Sequence, residues 1–356
     1  MPNLDDLTVI QALDRGHALE SITMLPDQID QSWQEGQAIN FPPEYKNAKN
    51  IVIAGMGGSA YGGRIAKSLY DTKSKVPLEL ANGYDIPGFV DENSLVILSS
   101  YSGTTEETLT LARAALARKA KISGVTSGGE LARFLSNNNF PSYIINPKYN
   151  PSQQPRSGVG YMVVGLLSLL SHLDYVSLDS DDVATAIKFL QEKGKSLDVS
   201  TPTEKNPAKT LAQKLLGFIP IIIVADFLEG AAHAIRNPFH ETSKQFGLYF
   251  TIPELNHHLM DGLQFPQKGK KYLKFIFIKS DLYEERNKKR LDLTKDVVIK
   301  NGIETLEITL DSKTQFSQTM ELIQFGGWLS FYLAIANGID PSPVPWVDYF
   351  KKELVR

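Results

Sequence analysis

The sequence predicts an α/β protein made of two doubly wound parallel sheets with flanking helices. Three observations predict it. Short apolar runs rich in valine and isoleucine alternate with longer helical patterns, the signature of strand–helix–strand units around a parallel sheet. The alternation comes in two series, separated by the polar stretch Leu197 to Asn206. The chain has 356 residues, more than one hydrophobic core ordinarily serves. Crossovers between parallel strands are right-handed, so each series lays helices on both faces of its sheet.

Val9 to Trp33 places Ile22, Leu25 and Ile29 at helical spacing and is expected to be mostly helical, broken or kinked at Pro26. Pro42-Pro43 ends this segment. Ile51 to Ala54 reads as a buried strand running into Gly55-Met56-Gly57-Gly58-Ser59, with a helix to about Tyr70. Val76 to Leu80, Leu95 to Ser99, Lys121 to Val125 and Ser142 to Asn146 read as further strands, with a helix over Glu106 to Arg118. The proline-rich stretch Pro147 to Pro155 is a connection to two helices, Gly158 to Leu173 and Asp181 to Lys193. The second series has strands at Ile219 to Ala225, Phe246 to Ile252, Tyr272 to Lys279 and Ile303 to Leu310. Its helices run from the end of its first strand to Ile235, from Tyr283 to Lys300 and from Phe316 to Asn337, and Trp346 to Leu354 closes the chain. The expected organisation is an N-terminal helical segment 1–40, a first α/β domain 41–155, connecting helices 156–200, a second α/β domain 201–340 and a C-terminal helix 341–356.

Composition excludes several functions. A net charge of −3 gives no footprint for nucleic acid, which is bound by clustered Lys and Arg. The Lys268–Lys271 and Arg286–Arg290 clusters read as a turn and a solvated helix face. The absence of cysteine removes disulfides, thiolate catalysis and cysteine-bound zinc. Met1 to Arg15 is acidic and polar, so no secretory signal is expected there, and no apolar stretch is long enough to span a bilayer. A soluble, cytoplasmic protein is expected.

Two strand–helix turns carry the chemistry. Gly55-Met56-Gly57-Gly58-Ser59-Ala60 lets the backbone approach an anion at a helix N-terminus, although a tight turn with no ligand has the same pattern. Ser99-Ser100-Tyr101-Ser102-Gly103-Thr104-Thr105 packs five serines and threonines and a glycine into seven positions before a helix. Hydroxyls and N–H groups at a helix start can hold a phosphate without a fixed cation. The competing reading is a capping box of Thr104 and Glu107, which would need two of these residues and leave the rest without a role. A dinucleotide site is disfavoured, because the second strand ends in Ala81-Asn82 rather than in an acid that could hold a ribose.

Gly57-Gly58-Ser59 after the first strand and Ser100-Tyr101-Ser102-Gly103-Thr104-Thr105-Glu106-Glu107-Thr108 after the third resemble the sugar isomerase (SIS) fold. Over nearly the whole chain the sequence is similar to the bifunctional phosphoglucose/phosphomannose isomerase branch. The resemblance implies two SIS subdomains and a phosphate held by Gly58, Ser59, Ser100, Ser102 and Thr105. It implies a homodimer in which each site borrows a histidine from the second subunit. The small-molecule partner implied is a sugar phosphate, with no metal and no organic cofactor.

Aldose–ketose isomerisation needs a carboxylate near carbon, a positive charge near the enediolate, and a proton donor and acceptor for ring opening. His240-Glu241-Thr242-Ser243-Lys244 resembles the family segment that carries the base, with His240 and Thr242 where flanking asparagines are usual. Pro253-Glu254-Leu255-Asn256-His257 resembles the segment that carries the ring-opening histidine. The resemblance therefore implies Glu241 as base and His257 for ring opening. It implies Arg156, in Pro155-Arg156, facing the enediolate, and Lys351 after Phe350 assisting ring opening, with Lys352 its rival. Ser342 falls near a position that could divide glucose from mannose epimers. Taken alone, Glu241 reads as a surface carboxylate beside Lys244, and only the resemblance makes it the base. His240, His257, His258 and Glu254 also admit a zinc reading, which their spacing disfavours. The function implied is interconversion of glucose 6-phosphate or mannose 6-phosphate with fructose 6-phosphate. The alternatives are another SIS phosphosugar isomerase, or a protein that binds a sugar phosphate without turning it over.

Overall fold

The computed structural model describes residues 2–354. Met1 and the last two residues of the expected 341–356 segment lie outside the described residues. The N-terminal run is three helices rather than one: α1 (Leu7–Leu13), α2 (Ala18–Thr23) and α3 (Leu25–Gln37). The first break is made by the Asp14 carboxylate, which accepts from the N–H groups of Ala18 at 2.8 Å and Leu19 at 2.9 Å. The run breaks a second time at Met24, beside Pro26, where the sequence leads one to expect a break or kink; the proline itself lies in the first turn of α3. The missing proline N–H needs no intrahelical partner there.

The first sheet contains β1 (Asn50–Gly55), β2 (Leu78–Ala81), β3 (Ser94–Ser99), β4 (Lys121–Thr126) and β5 (Ser142–Ile144). Its helices are α4 (Tyr61–Tyr70), α5 (Glu106–Ala117) and α6 (Gly129–Asn137). All pairings are parallel, in the order β2-β1-β3-β4-β5. Successive side chains of β1 enter different cores. Ile51 and Ile53 join one apolar cluster, and Val52 and Ala54 join another with Leu111 of α5 and Leu131 of α6. Burial on both faces explains why these strands read as unbroken apolar runs. The chain leaves β1 toward β2 on one side and reaches β3 on the other. The crevice at the carboxyl ends of β1 and β3 is therefore the topological switch point, where open α/β sheets bind ligands.

α7 (Val159–His172) and α8 (Ser180–Leu197) lead to α9 (Pro207–Leu215), a helix not anticipated from sequence. The polar stretch before it hides a cap: the Asn206 side chain accepts from Ala208 N and Lys209 N, and Pro207 takes the first turn. The second series continues with β6 (Ile219–Ala225), α10 (Glu229–Glu241), β7 (Leu248–Ile252), α11 (Leu259–Gly262), β8 (Leu273–Lys279), α12 (Glu285–Lys300), β9 (Glu304–Thr309), α13 (Gln315–Ala336) and α14 (Pro345–Leu354). Its sheet is parallel, in the order β7-β6-β8-β9. α10 passes the Ile235 end expected for it, includes Pro238, and finishes on Glu241.

The two halves meet where α4 of the first packs against α10 and α13 of the second, with α8 lying against α13. α4 and α10 come so close that a Cβ on Gly230 would lie 2.7 Å from the Arg64 carbonyl oxygen. One apolar cluster runs from Ile53 of β1 through Leu166, Ala231 and Trp328 to Ile222 of β6. α7 and α13 are buried on nearly every face because they lie inside this layer. Among the described residues no helix is long and apolar enough to cross a membrane.

Candidate active site

The site is assembled at the carboxyl ends of β1 and β3. After Gly55 the chain makes a tight turn over Gly57–Ala60 and enters α4. After Ser99 it runs through the hydroxyl loop into α5. The two turns are stitched together. Ser99 Oγ donates to the Ser59 carbonyl at 2.6 Å, and Ser59 Oγ accepts from Tyr101 N at 2.9 Å. Ser59 is buried, and its hydroxyl oxygen serves there as an acceptor.

Within the loop, Ser100 Oγ accepts from Gly103 N at 3.1 Å and lies 2.8 Å from Thr105 Oγ1. Ser102 Oγ lies 3.1 Å from Thr104 Oγ1, and both of these residues are exposed. Gly103 has φ +67°, and a Cβ there would meet the Gly128 carbonyl oxygen at 1.8 Å, so only glycine closes this turn. The N-cap of α5 is Thr105, and its side chain makes no cap hydrogen bond. The capping box of Thr104 and Glu107 is therefore not formed. The first-turn N–H groups of α5 are left for another acceptor.

Arg156 lies in the short turn Pro155–Ser157 before α7. The backbone of the first loop passes beside it, since a Cβ on Gly58 would be 3.6 Å from Arg156 N. The guanidinium is almost wholly enclosed. Nε donates to Thr242 Oγ1 at 3.2 Å, Nη1 to Gln154 Oε1 at 3.0 Å, and Nη2 to the carbonyls of Pro341 at 2.9 Å and Ser342 at 2.6 Å. Nη1 also faces Glu241 Oε2 at 3.6 Å; the arginine side chain is 4% exposed and the carboxylate side chain 33%. Burial lowers the pKa of Arg156, and the carboxylates of Glu241, Asp340 and Asp348 oppose that shift. A guanidinium stays protonated through such a shift, so a fixed cation stands beside the one partly open carboxylate of the pair.

The two residues flanking Glu241 that depart from the family pattern have separate fates. The His240 ring turns away, with Nε2 2.9 Å from the Gly247 carbonyl oxygen and the ring stacked on Phe246. Thr242 supplies the hydroxyl that accepts from Arg156 Nε. Sequence reasoning assigned no role to Thr242, Gln154 or the Pro341 carbonyl. Only a close look at hydroxyl and amide side chains flanking the named charges would have raised the first two. Ser342, expected near the sugar, has its Oγ against Gly16 in the N-terminal segment, where a Cβ would come within 2.2 Å.

His257 and Lys351 stand apart from this cluster. His257 is exposed on the short turn Glu254–His257 after β7, and no hydrogen bond, ion pair or ring contact joins it to Glu241 or Arg156. Lys351 and Lys352 are both exposed on α14, a helix with no buried residue. The zinc alternative gathers no ligands: among the described residues no group of three His, Asp or Glu side chains is arranged to hold an ion.

Residues 44–138 match the SIS domain family, and residues 204–354 match the bacterial phospho-glucose isomerase C-terminal SIS domain. A curated relative, the bifunctional phosphoglucose/phosphomannose isomerase of Caldicellulosiruptor bescii, is 32% identical over 95% of this chain and 98% of its own. The bifunctional phosphoglucose/phosphomannose isomerase of Thermoplasma volcanium is 30% identical over 89% of this chain and 95% of its own. A solved structure of a hypothetical protein from Thermus thermophilus shares the fold with a TM-score of 0.75, at 13% identity, over 98% of this chain and 92% of that one.

Proposed function

This chain belongs to the bifunctional phosphoglucose/phosphomannose isomerase family, and on that premise we propose that it interconverts glucose 6-phosphate and mannose 6-phosphate with fructose 6-phosphate. The observation that carries the reading is the half-open Glu241 carboxylate 3.6 Å from the buried Arg156 guanidinium, beside a loop of hydroxyls at an uncapped helix start. The substrate phosphate takes Ser59, Ser100, Ser102, Thr105 and the backbone at Gly58. Glu241 removes the proton from C2 and returns it to C1, and Arg156 offsets the charge of the cis-enediolate between the two transfers. His257 and Lys351 open the ring. No step calls for a metal, and the enzyme works in the cytoplasm.

Purified protein treated with EDTA is expected to form fructose 6-phosphate from each aldose phosphate in a coupled assay. Glucosamine 6-phosphate is the control for an amino-sugar enzyme. Glu241→Gln is expected to lower kcat by about 10²–10⁴-fold while fructose 6-phosphate still binds. Full turnover by that variant would remove Glu241 from the role of base.

The exposure of His257 supports a homodimer, because a ring-opening histidine must reach a substrate held beside Glu241. The apolar side chains left uncovered on α14, Trp346 at 81% and Phe350 at 62% exposed, supply surface for a second copy to cover. Mixing the inactive variants Glu241→Gln and His257→Gln, with subunit exchange, is expected to restore activity. One class of hybrid site then has both groups intact. No recovery in mixed dimers would place His257 in its own chain's site or outside the reaction.

A further inference from the structure

Lys244 lies three residues after Glu241, in the turn that follows α10, and adopts φ +52°. That left-handed conformation is unfavourable for a residue with a side chain, and such strain persists only where the surroundings hold it. The surroundings here are three carbonyl oxygens. Lys244 Nζ donates to Thr242 O at 3.2 Å, to Asp340 O at 3.0 Å and to Pro341 O at 3.2 Å. The first lies at the end of α10, where a cation is favoured by the helix dipole. The other two belong to the loop between α13 and α14.

The Pro341 carbonyl is shared. It accepts from Lys244 Nζ and, at 2.9 Å, from Arg156 Nη2, which also binds the Ser342 carbonyl. A continuous set of contacts therefore runs from the Lys244 ammonium through the Pro341 carbonyl to the Arg156 guanidinium, and across its Nη1 to Glu241. The guanidinium is planar, so fixing Nη2 fixes the direction in which Nη1 points. We propose that Lys244 is a positioning residue: by clasping the Asp340-Pro341 carbonyls to the end of α10, it sets the orientation of Arg156 against Glu241. The same clasp fixes the base of α14, from which Lys351 projects.

The charged groups around Lys244 make the clasp sensitive to pH. Arg156 approaches from the turn before α7, Asp340 from the loop before α14, and Glu241 from α10 itself. Burial, and then the Arg156 charge, push the pKa of Lys244 down to about 8, against the opposing pull of Asp340 and Glu241. The ammonium form predominates below that value. As pH rises through it the group loses its charge and one donor, and the hold on the loop weakens.

The inference rests on the isomerase reading for its kinetic arm and is independent of it for its structural arm. In the coupled assay, Lys244→Met is expected to lower kcat by about ten- to hundredfold, the order of effect that misplacing a reacting group produces, with KM little changed. Lys244→Arg is expected to recover most of kcat. Its alkaline limb, near pH 8 in the parent, should move upward because the guanidinium does not titrate there. Hydrogen exchange at residues 339–344 should be faster in Lys244→Met than in the parent at pH 7, and the parent itself should lose protection above pH 8. Kinetic profiles of Lys244→Arg and parent that superimpose, or a kcat loss in Lys244→Met that merely follows its folded fraction, would overturn the positioning role. Unchanged exchange in the loop would overturn the clasp even if the parent proved to catalyse no isomerisation.

Discussion

After β1 and β3 of the first sheet the chain turns through Gly57-Gly58-Ser59 and through Ser100 to Thr105. After β6 and β8 of the second sheet, at corresponding positions in the parallel order, it turns through Asp226-Phe227-Leu228 and through Ser280-Asp281-Leu282-Tyr283-Glu284. The backbone plan is the same and the chemistry is opposite. Glu284 caps its own helix, its carboxylate accepting from Arg286 N at 2.7 Å and Asn287 N at 3.2 Å. Asp226 reinforces that turn by accepting from Glu284 N at 2.9 Å and from the Asn287 side chain at 2.6 Å. The start of α12 is thus filled by the protein's own carboxylate. The start of α5 is left uncapped, with hydroxyls around it. A strand–turn–helix unit supplies an anion-attracting terminus in both halves, and the side chains at the turn decide whether a ligand or the protein itself occupies it.

The contrast can be broken at three levels. The largest effect is expected for Gly103→Ala. Forcing a Cβ into a left-handed turn costs about 1–2 kcal/mol, and overpacking against a backbone oxygen about 1–3 kcal/mol more. Fructose 6-phosphate binding measured by calorimetry should be lost, and the thermal midpoint should fall. Retention of tight binding would show that the turn tolerates rearrangement. Next come Ser100→Ala and Thr105→Ala. If the proposed phosphate site is right, each removes a hydroxyl from a charged ligand, a change of about 1.5–3 kcal/mol or roughly ten- to hundredfold in KM, with stability little affected. The smallest effect belongs to the second half, where Glu284→Ala should cost about 1 kcal/mol of stability through the lost cap and leave KM unchanged. A rise in KM for Glu284→Ala comparable to that for Ser100→Ala would mean that both turns serve the ligand.

Much of the plan was legible in the sequence because it depends on local pattern. The central strands β1 and β3 of the first sheet are buried on both faces, and their isoleucine and valine runs announce this directly. The hydroxyl loop is contiguous, so its chemistry is visible in seven letters. The elements that differ from expectation have signals carried by single side chains. Asp14 ends one N-terminal helix and begins the next, and Asn206 starts a helix inside a stretch that looks like a linker. The expected end of α10 at Ile235 falls short because Pro238 does not stop the helix, which runs on to Glu241.

By itself the sequence determined two parallel sheets, their order along the chain, and one turn whose residues suit a phosphate. It did so because periodicity and turn chemistry act between near neighbours. Only the tertiary structure decided which groups meet Arg156. Thr242 lies 86 residues away along the chain, and Pro341 and Ser342 lie 185 and 186 residues away. These distances are closed by packing α4 against α10 and α13, a layer held by apolar burial with no memory of spacing along the chain. The same packing turned His240 outward and Thr242 inward, separated His257 from Glu241 within one chain, and gave Lys244 three carbonyls to hold.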